Sequence, residues 1–292
     1  MVQPSHNEPR LSVCGREFRA ASAWHAGDMV RDIAKIRSAV AAAILAIITI
    51  GAWGAQAKAS GGHSPLLCKR YQHIIVRGTR NQRYIVRNDN YGHRPECLAN
   101  VGGLANFRVV RSGARRSGPE PVAFPYIYRG CSWTLCTPHS GFPTRAHHVK
   151  SLLTSWRMGL PARGVWAAGI DLWFTRRPAI SGQQHGAELM IWFNSHDVAA
   201  SQGPVVVIDH IRWYLEHWVT THHGRTWQYV QLRRVRPTSQ IRRLNLAPFI
   251  KAAERHGFVQ RLWWLTGVEA GFEIWRGGVG LRTEQFSVRS QL

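Results

Sequence analysis

Residues 187–194 read AELMIWFN, and this short stretch decides the fold. Successive side chains of a β-strand point to opposite faces of the sheet. One face of this strand is therefore wholly apolar, with Leu189, Ile191 and Phe193. The other face carries Glu188, Met190, Trp192 and Asn194. The pattern predicts a strand with one face in a core and a second face that combines a carboxylate with an aromatic ring two residues later.

Two further stretches repeat this design. Ile170–Phe174 (IDLWF) places Asp171 beside Trp173, and Gly271–Trp275 (GFEIW) places Glu273 beside Trp275. Charged residues are depleted in strands, and burying an unpaired carboxylate is costly, so three such strands together favour a functional face over chance surface charges. Aromatic faces suit the apolar faces of sugar rings, and two carboxylates flanking a bond are the machinery of glycoside hydrolysis.

The rest of the chain predicts an all-β protein. Short runs rich in Val, Ile, Trp and Phe recur between clusters of Gly, Pro, Ser and Asn. They are Tyr84–Arg87, Ala123–Tyr128, Val165–Phe174, Ala187–Asn194, Val205–Ile208, Trp227–Leu232, Trp263–Gly267 and Gly271–Trp275. One stretch, Asn245–His256, has helical spacing and is followed by Gly257 as a C-terminal cap. Many strands and one short helix predict a two-sheet sandwich or jelly roll.

The N-terminal region predicts an export signal. Three basic residues precede the uncharged run 38–56, which ends in small-x-small cleavage sites. Its strongly apolar part is about 15 residues, shorter than the roughly 20 needed to span a bilayer, so a cleaved signal is favoured over a membrane anchor. We expect residues 1–57 to be a leader, with 1–28 as an over-extended start or as part of an unusually long n-region, and 29–57 as the signal peptide. Residues 58–292 then form a single catalytic domain.

The charge balance excludes some function classes. The chain of 292 residues has 38 Lys and Arg against 16 Asp and Glu, a formal charge of +22. Residues 1–57 hold six of the basic and four of the acidic residues, which leaves 32 against 12 and a charge of +20. A hydrophobic share of 45% is enough for a core and excludes a disordered polyelectrolyte. The charge favours anionic surfaces such as acidic polysaccharides or a cell wall, with an arginine-rich genome as the alternative explanation. No nucleic-acid-binding motif accompanies it.

Cysteine usage agrees with export. Cys14 falls in the leader, which leaves Cys68, Cys97, Cys131 and Cys136. An even number in an exported chain predicts two disulfides, with three pairings allowed and the sequential pairing the simplest. The alternative is a zinc site at Cys131, Cys136 and His139, but the C-x4-C spacing matches no common zinc pattern well. We therefore expect no metal at these cysteines. Glycoside hydrolysis by two carboxylates needs no metal or organic cofactor either.

In combination, these stretches resemble glycoside hydrolase family 12, the small secreted endo-β-1,4-glucanases. The resemblance runs in order from about Leu67 to Val288. It rests on Asn88–Gly92 (NDNYG), Gly130–Pro138 (GCSWTLCTP), Ala168–Phe174 (AGIDLWF), Glu188–Asn194 (ELMIWFN), Trp263–Thr266 (WWLT) and Ala270–Leu281 (AGFEIWRGGVGL). It implies a two-sheet β-jelly-roll sandwich with a concave substrate groove, and it also implies the disulfides Cys68–Cys97 and Cys131–Cys136.

The resemblance also implies a retaining mechanism with three carboxyl groups. Glu188 is the nucleophile, Glu273 is the general acid and base, and Asp171 supports the nucleophile by hydrogen bonding and by tuning its ionisation. Such a pair has to lie roughly 5–5.5 Å apart for direct attack on the sugar. Glu269 lies four residues before Glu273 on the same face, and we interpret it as a neighbour that affects ionisation rather than as a catalyst.

Five residues are predicted to contact substrate. Asn88 and Tyr91 lie in the stretch where many family members read NNxWG, with Tyr91 in place of a sugar-stacking Trp. Met190 and Trp192 share the face of Glu188, with core packing as the alternative for each. Trp275 shares the face of Glu273.

The predicted function is thus that of a secreted, endo-acting β-1,4-glucanase, a monomer whose partner is a β-glucan. After signal cleavage we expect no stable membrane anchor, and the basic charge favours association with a cell wall. One alternative is a non-catalytic β-glucan-binding protein on a decayed hydrolase scaffold, against which the three retained carboxylates argue. Another is a basic exported protein that binds nucleic acid or an anionic envelope, and its binding would weaken steeply with salt.

Overall fold

The computed structural model describes residues 66–100, 104–178, 185–222 and 224–292. The predicted leader, residues 1–57, lies outside these ranges, so the leader and the catalytic-domain boundary at 58 remain predictions. None of the helices in the described ranges combines the length and the apolar character that a membrane span requires.

Strands dominate the described residues. They are β1 (His73–Arg77), β2 (Arg83–Arg87), β3 (Glu96–Ala99), β4 (Phe107–Ser112), β5 (Ala114–Arg115), β6 (Tyr126–Ser132), β7 (Leu135–Cys136), β8 (Thr144–Arg145), β9 (Ser151–Gly159), β10 (Val165–Thr175), β11 (Ala187–His196), β12 (Val205–Ile208), β13 (Ile211–His222), β14 (Arg225–Arg234), β15 (Gln240–Asn245), β16 (Trp264–Leu265), β17 (Gly267–Gly277) and β18 (Arg282–Gln291). One α-helix, α1 (Ala247–Arg255), and the short 3-10 helices Thr79–Asn81 and Ala146–His148 complete the described elements.

Within the described ranges these strands form two sheets. The large sheet follows the order β1-β2-β6-β17-β10-β11-β14-β13-β12, and the small sheet follows the order β15-β9-β18-β4-β3. The central strand β10 pairs antiparallel with both β17 and β11, whereas β11 and β14 run parallel. The predicted all-β, two-sheet jelly-roll sandwich with one short helix is confirmed. Strands β17, β10 and β11, which carry the three carboxylate motifs, are adjacent in the large sheet.

A chain of aromatic rings fills the core between the sheets. Trp156 of the small sheet contacts Phe272 on β17, with ring centroids 5.5 Å apart, and Phe193 on β11, at 6.4 Å. Phe193 contacts Trp213 at 5.8 Å, and Trp213 contacts Phe249 of the helix at 5.1 Å. Each such pair adds about 0.5–1.5 kcal/mol beyond the burial of its area. The rings therefore fix β11 and β17, together with the helix, relative to the small sheet.

The helix ends at the glycine that the sequence predicts as its cap. Gly257 has φ 76°, and its N–H donates to the carbonyl of Glu254 at 3.0 Å. The N–H of Phe258 donates to the carbonyl of Ala253 at 2.9 Å. These two bonds form a Schellman motif, which requires the left-handed conformation that glycine adopts without strain.

Several strand boundaries differ from the sequence prediction; for example, the run Trp263–Gly267 is divided between β16 and the start of β17. The run Ala123–Tyr128 enters the sheet at Tyr126 only, and Ala123 forms isolated bridges. Pro125 has no N–H to donate, so it cannot extend a ladder toward Ala123. The run Gly271–Trp275 is the inner part of a longer strand, β17, which already begins at Gly267 and includes Glu269.

Both disulfides join the cysteines in sequential order. Cys68 is bonded to Cys97, and Cys131 is bonded to Cys136. This confirms the expected pairing and excludes the alternative zinc site, because two of its three ligands are consumed. Cys131 and Cys136 lie opposite each other on β6 and β7, so this bond closes a hairpin.

The two disulfides are expected to stabilise the fold unequally. The Cys68–Cys97 bond spans 29 residues and the Cys131–Cys136 bond spans five. From loop-closure entropy, replacing both cysteines with serine costs about 3.6 kcal/mol for the first pair and about 2 kcal/mol for the second. Urea unfolding of the two double variants measures the difference. A larger loss for Cys131→Ser/Cys136→Ser would contradict the entropic account.

Candidate active site

Strand pairing brings the three predicted catalytic carboxyl groups to one face of the large sheet. Glu188 on β11 lies opposite Trp173 of β10, and Glu273 on β17 lies opposite Ala167 of β10. The two glutamates thus lie on the two strands that flank β10. Asp171 lies on β10, between these two levels.

The predicted division of faces is also observed. The core cluster between the sheets contains Ile170, Leu172, Leu189, Ile191, Phe193, Phe272 and Ile274. A second apolar cluster on the opposite face contains Tyr126, Tyr128, Ala167, Met190, Trp192 and Trp275. The carboxyl groups share this second face, because they alternate with the core residues along each strand. We call it the groove floor.

Two glycines keep the middle of the groove floor free of side chains. Gly169 on β10 lies opposite Trp192 on one side and Gly271 on the other. A Cβ at Gly169 would come within 2.9 Å of the Trp192 ring, and a Cβ at Gly271 within 2.7 Å of the Pro125 carbonyl oxygen. Any larger residue would collide with these neighbours. The gap lies between the level of Asp171 and the level of Glu273.

Glu188 is buried but has a dedicated hydrogen-bond donor. The indole N–H of Trp227 on β14 donates to Glu188 Oε2 at 2.8 Å. Burial raises the pKa of Glu188, and the charges of Glu273 and Glu269 add to the rise. The Trp227 hydrogen bond opposes both effects, because it stabilises the carboxylate form. Glu188 therefore has a specific means of carrying a negative charge in a buried place.

Glu273 is buried with one oxygen atom unpartnered in the described ranges. Its Oε2 atom is buried and has no hydrogen-bond partner among the described residues. Burial raises the pKa of Glu273 to about 7, and the nearby Trp192 indole N–H opposes this rise. The group is therefore protonated in mildly acidic solution, which is the state that a general acid needs.

Asp171 and Glu269 form a cross-strand pair of acids. They lie directly opposite each other on β10 and β17 and are only 3% and 4% exposed. Burial raises the pKa of Asp171, and the charges of Glu188 and Glu269 raise it further, while Trp173 opposes the rise. Burial raises the pKa of Glu269 to about 8. Four carboxyl groups thus share one buried floor.

The aromatic residues predicted to contact substrate form the walls of this floor. The rings of Trp192 and Trp275 meet edge to face at 6.1 Å. Trp275 donates its N–H to the Pro119 carbonyl at 2.9 Å, whereas the Trp192 N–H has no such partner in the described part of the chain. Met190 packs in the same cluster. All three are buried in this cluster on the groove side and not between the sheets, and the substrate contacts of Met190 and Trp192 remain predictions.

The structure separates the two residues predicted from the NDNYG stretch. Asn88 is fully buried, and its amide donates to the backbone carbonyls of Leu67 at 3.0 Å and Glu96 at 3.1 Å. This placement revises the prediction for Asn88, which ties two backbone segments together and does not reach the groove surface. Tyr91 is 36% exposed and retains an accessible ring.

A second group of charged residues lies beside this stretch. Arg87 Nε is 3.7 Å from Asp89 Oδ1. Burial raises the pKa of Asp89 to about 6, although Arg87 and Arg70 lower it. Burial also raises the pKa of Glu96 to about 8, and the Asp89 charge contributes to that rise. These carboxyl groups are structural neighbours of the floor and are not aligned with its central strands.

Sequence analysis missed an aromatic pair at one side of the groove. Trp218 on β13 lies opposite Tyr229 on β14, and Tyr229 lies beside Glu188 on β11. The two rings are stacked, with centroids 4.4 Å apart, and Trp218 is 44% exposed. The alternation of Val230 and Leu232 into the core was the available signal, because it places Trp227 and Tyr229 on the groove side.

No group of three or more His, Cys, Asp or Glu side chains in the described ranges has an arrangement that would hold a metal ion.

Comparisons with known proteins point to one family. The sequence model described as glycosyl hydrolase family 12 matches residues 104–290. The probable cellulase Cel12b of Mycobacterium tuberculosis is 25% identical over 150 residues, which cover 51% of this chain and 97% of that protein. Among solved structures, endoglucanase cel12A from Rhodothermus marinus is 33% identical, with a TM-score of 0.70, and covers 78% of this chain and 99% of its own. A metagenome-derived family 12 endoglucanase is 32% identical, with the same TM-score, and covers 78% of this chain and 98% of its own.

The raised pKa values predict that stability falls as pH rises. The Glu96 carboxyl is protonated in the folded protein up to pH about 8, while in the unfolded chain it ionises near its ordinary value of 4.5. Between these values the folded state binds the extra proton, so the free energy of unfolding falls by up to about 1.4 kcal/mol per pH unit for this group. Glu96→Gln should flatten the slope between pH 5 and 8.

Unfolding of wild type and Glu96→Gln in urea at several pH values measures this slope. Glu284→Gln is the control, because Glu284 is a surface carboxylate paired with Arg157 at 2.8 Å and Arg282 at 2.9 Å. Equal slopes for wild type and Glu96→Gln would mean that Glu96 is ionised in the folded protein.

Proposed function

The chain belongs to glycosyl hydrolase family 12, and from this premise we propose that it is a secreted, monomeric, endo-acting β-1,4-glucanase that retains anomeric configuration. One observation carries the proposal: Glu188 and Glu273 lie on the two strands flanking β10 and face the same groove floor. The names of the related cellulase and endoglucanase support cellulose or a similar β-glucan as substrate.

In the first step Glu188 attacks the anomeric carbon of the bound sugar. Glu273 gives its proton to the glycosidic oxygen, so that the bond between this oxygen and the anomeric carbon breaks and the leaving chain departs as an alcohol. We assign the roles in this order because Glu188 has the Trp227 hydrogen bond that stabilises a carboxylate. The unpartnered Glu273 Oε2 favours the neutral acid.

In the second step water displaces Glu188 from the anomeric carbon of the sugar. The ester between Glu188 and the sugar no longer carries a negative charge, so the pKa of Glu273 falls and its carboxylate can accept a proton from water. The resulting hydroxide equivalent attacks the anomeric carbon, and Glu188 leaves as a carboxylate. Two inversions give net retention. Asp171, held protonated beside Glu188, donates toward the nucleophile and limits the negative charge at the floor.

The groove walls supply sugar-binding surface. We assign Trp192, Trp275 and Met190 to the floor around the reacting sugar and Tyr91 to its exposed rim. Trp218, stacked on Tyr229 beside Glu188, extends this surface along β13. Aromatic rings suit sugars because they cover the apolar ring face without demanding a charge.

Export is supported by the two disulfides. Such bonds persist in oxidising compartments and are rare in reducing ones. Together with the predicted signal peptide at 29–57, they favour a protein that acts outside the cell, where a β-glucan polymer is accessible.

The catalytic assignment predicts different defects in two variants. On a soluble β-glucan, Glu188→Gln and Glu273→Gln should each lose at least 10²–10⁴-fold in kcat. On an aryl β-cellobioside with a good leaving group, Glu273→Gln should still release a burst of phenol, since that leaving group needs no proton. Glu188→Gln should show no burst. Stopped-flow absorbance measures both.

The control and the product complete this test. Glu284→Gln, on the other sheet, should match wild type. Proton NMR should show the β-anomer as the first product, because two inversions restore the original configuration. A wild-type protein that binds β-glucan without cleaving it would instead be a carbohydrate-binding protein on a hydrolase scaffold.

The aromatic pair predicts a defect confined to long substrates. Trp218→Ala should raise KM on a β-glucan polymer by about ten-fold, from the loss of about 1.4 kcal/mol of stacking. It should leave kcat on a short aryl glycoside unchanged. Val219→Ala is the matched control, because Val219 is also exposed, at 55%, and occupies the next position but points to the other face of the strand. Equal KM values for both variants would remove Trp218 from the binding surface.

A further inference from the structure

Glu269 is a buried acid for which the reaction described above has no use. It lies on β17 directly opposite Asp171 of β10, and both side chains point to the groove floor. Directly opposed residues of antiparallel strands have Cβ atoms about 4.5–5.5 Å apart. The two carboxyl groups are almost fully buried, and Asp171 Oδ1 has no hydrogen-bond partner in the described ranges. Two buried like charges at such a distance are costly, so the geometry disfavours ionisation of both.

The groups around Glu269 do not remove this cost. Those that face it from the packed elements are Asp171 on β10, Glu188 on β11, Tyr126, Tyr128 and Ser132 on β6, Arg87 on β2 and Asp89 after β2. Arg87 is the cation among them, and its Nε already lies 3.7 Å from Asp89. Ser132 hydrogen-bonds Glu269 and so opposes the rise in its pKa, but this neutral hydroxyl, 2.8 Å from the Tyr126 hydroxyl, supplies no positive charge. The neighbourhood therefore holds more acid than its one guanidinium can neutralise.

We propose that Glu269 is a positioning residue that shares one proton with Asp171 and thereby sets the pH range in which Glu188 and Glu273 hold their working protonation states. The Glu269–Asp171 pair carries at most one negative charge, which keeps a proton on the acid beside the nucleophile. When the pair ionises, its charge opposes further loss of protons from the floor and extends activity to higher pH. The second part of this proposal rests on the proposed roles of Glu188 and Glu273.

The test is Glu269→Gln, which keeps the size and polarity of the side chain and removes its charge. Removing a like charge lowers the pKa values of its neighbours. The pH optimum of kcat/KM on a soluble β-glucan should therefore move down by about one unit. In protein with 13C-labelled aspartate carboxyls, the Asp171 signal, assigned with Asp171→Asn, should titrate at lower pH than in wild type.

Glu96→Gln is the matched control. Glu96 is equally buried and its pKa is also raised by burial, but Asp89 is the charge that acts on it. This variant should move neither the pH optimum nor the Asp171 signal. If Glu269→Gln does not fold, the reciprocal measurement follows the Glu269 carboxyl in Asp171→Asn, where it should titrate at lower pH than in wild type.

The outcomes separate the two proposals. An unchanged Asp171 titration in Glu269→Gln overturns the shared proton, whatever the activity. A shifted titration with an unchanged pH optimum overturns the positioning role. A shifted Asp171 titration in a protein without glucanase activity supports the shared proton and contradicts the proposed function.

Discussion

The alternation of side chains along β11 and β17, locked by the aromatic core, is the constraint on which the rest of the structure depends. Phe193 and Phe272 both contact Trp156, so neither strand can rotate or shift by one residue without losing these ring contacts. A one-residue slip would turn every side chain to the other face. The core rings therefore place Glu188 and Glu273 on the groove floor, although the rings themselves lie on the opposite face of the sheet.

This constraint produces an unusual distribution of charge. The chain beyond residue 57 has 12 acidic residues, and four of them lie on a buried floor. The described arginines, apart from Arg87 and Arg129, are at least partly exposed. Burying a carboxyl group without a cation disfavours its charged form, so the floor holds protons that water would otherwise remove. The hydrogen bond from Trp227 partly offsets this effect at Glu188, where burial and the neighbouring carboxylates raise the pKa.

The central strands could be predicted from sequence because their information is local. AELMIWFN, IDLWF and GFEIW each show their own period of two, and the faces observed are those the alternation gives. The Trp218–Tyr229 pair depends on the register between β13 and β14, which no single stretch reveals. Asn88 lies in the predicted NDNYG motif. The hydrogen bonds from its side-chain amide to backbone carbonyls of two distant segments are a tertiary property that the motif does not reveal. Pro125 has no backbone N–H, and this was a sequence signal that the predicted strand Ala123–Tyr128 should begin only after Pro125.

The same burial that prepares the site also weakens the fold in alkaline solution. A buried carboxyl group with a raised pKa is favourable to the folded state only while it keeps its proton. The free energy of unfolding therefore falls as pH rises. A glutamine at 269 or 96 would avoid this cost. The fold tolerates it because the two disulfides and the continuous aromatic core act independently of pH. Stability is thus supplied by groups that do not titrate, and this leaves the groove free to be built from groups that do.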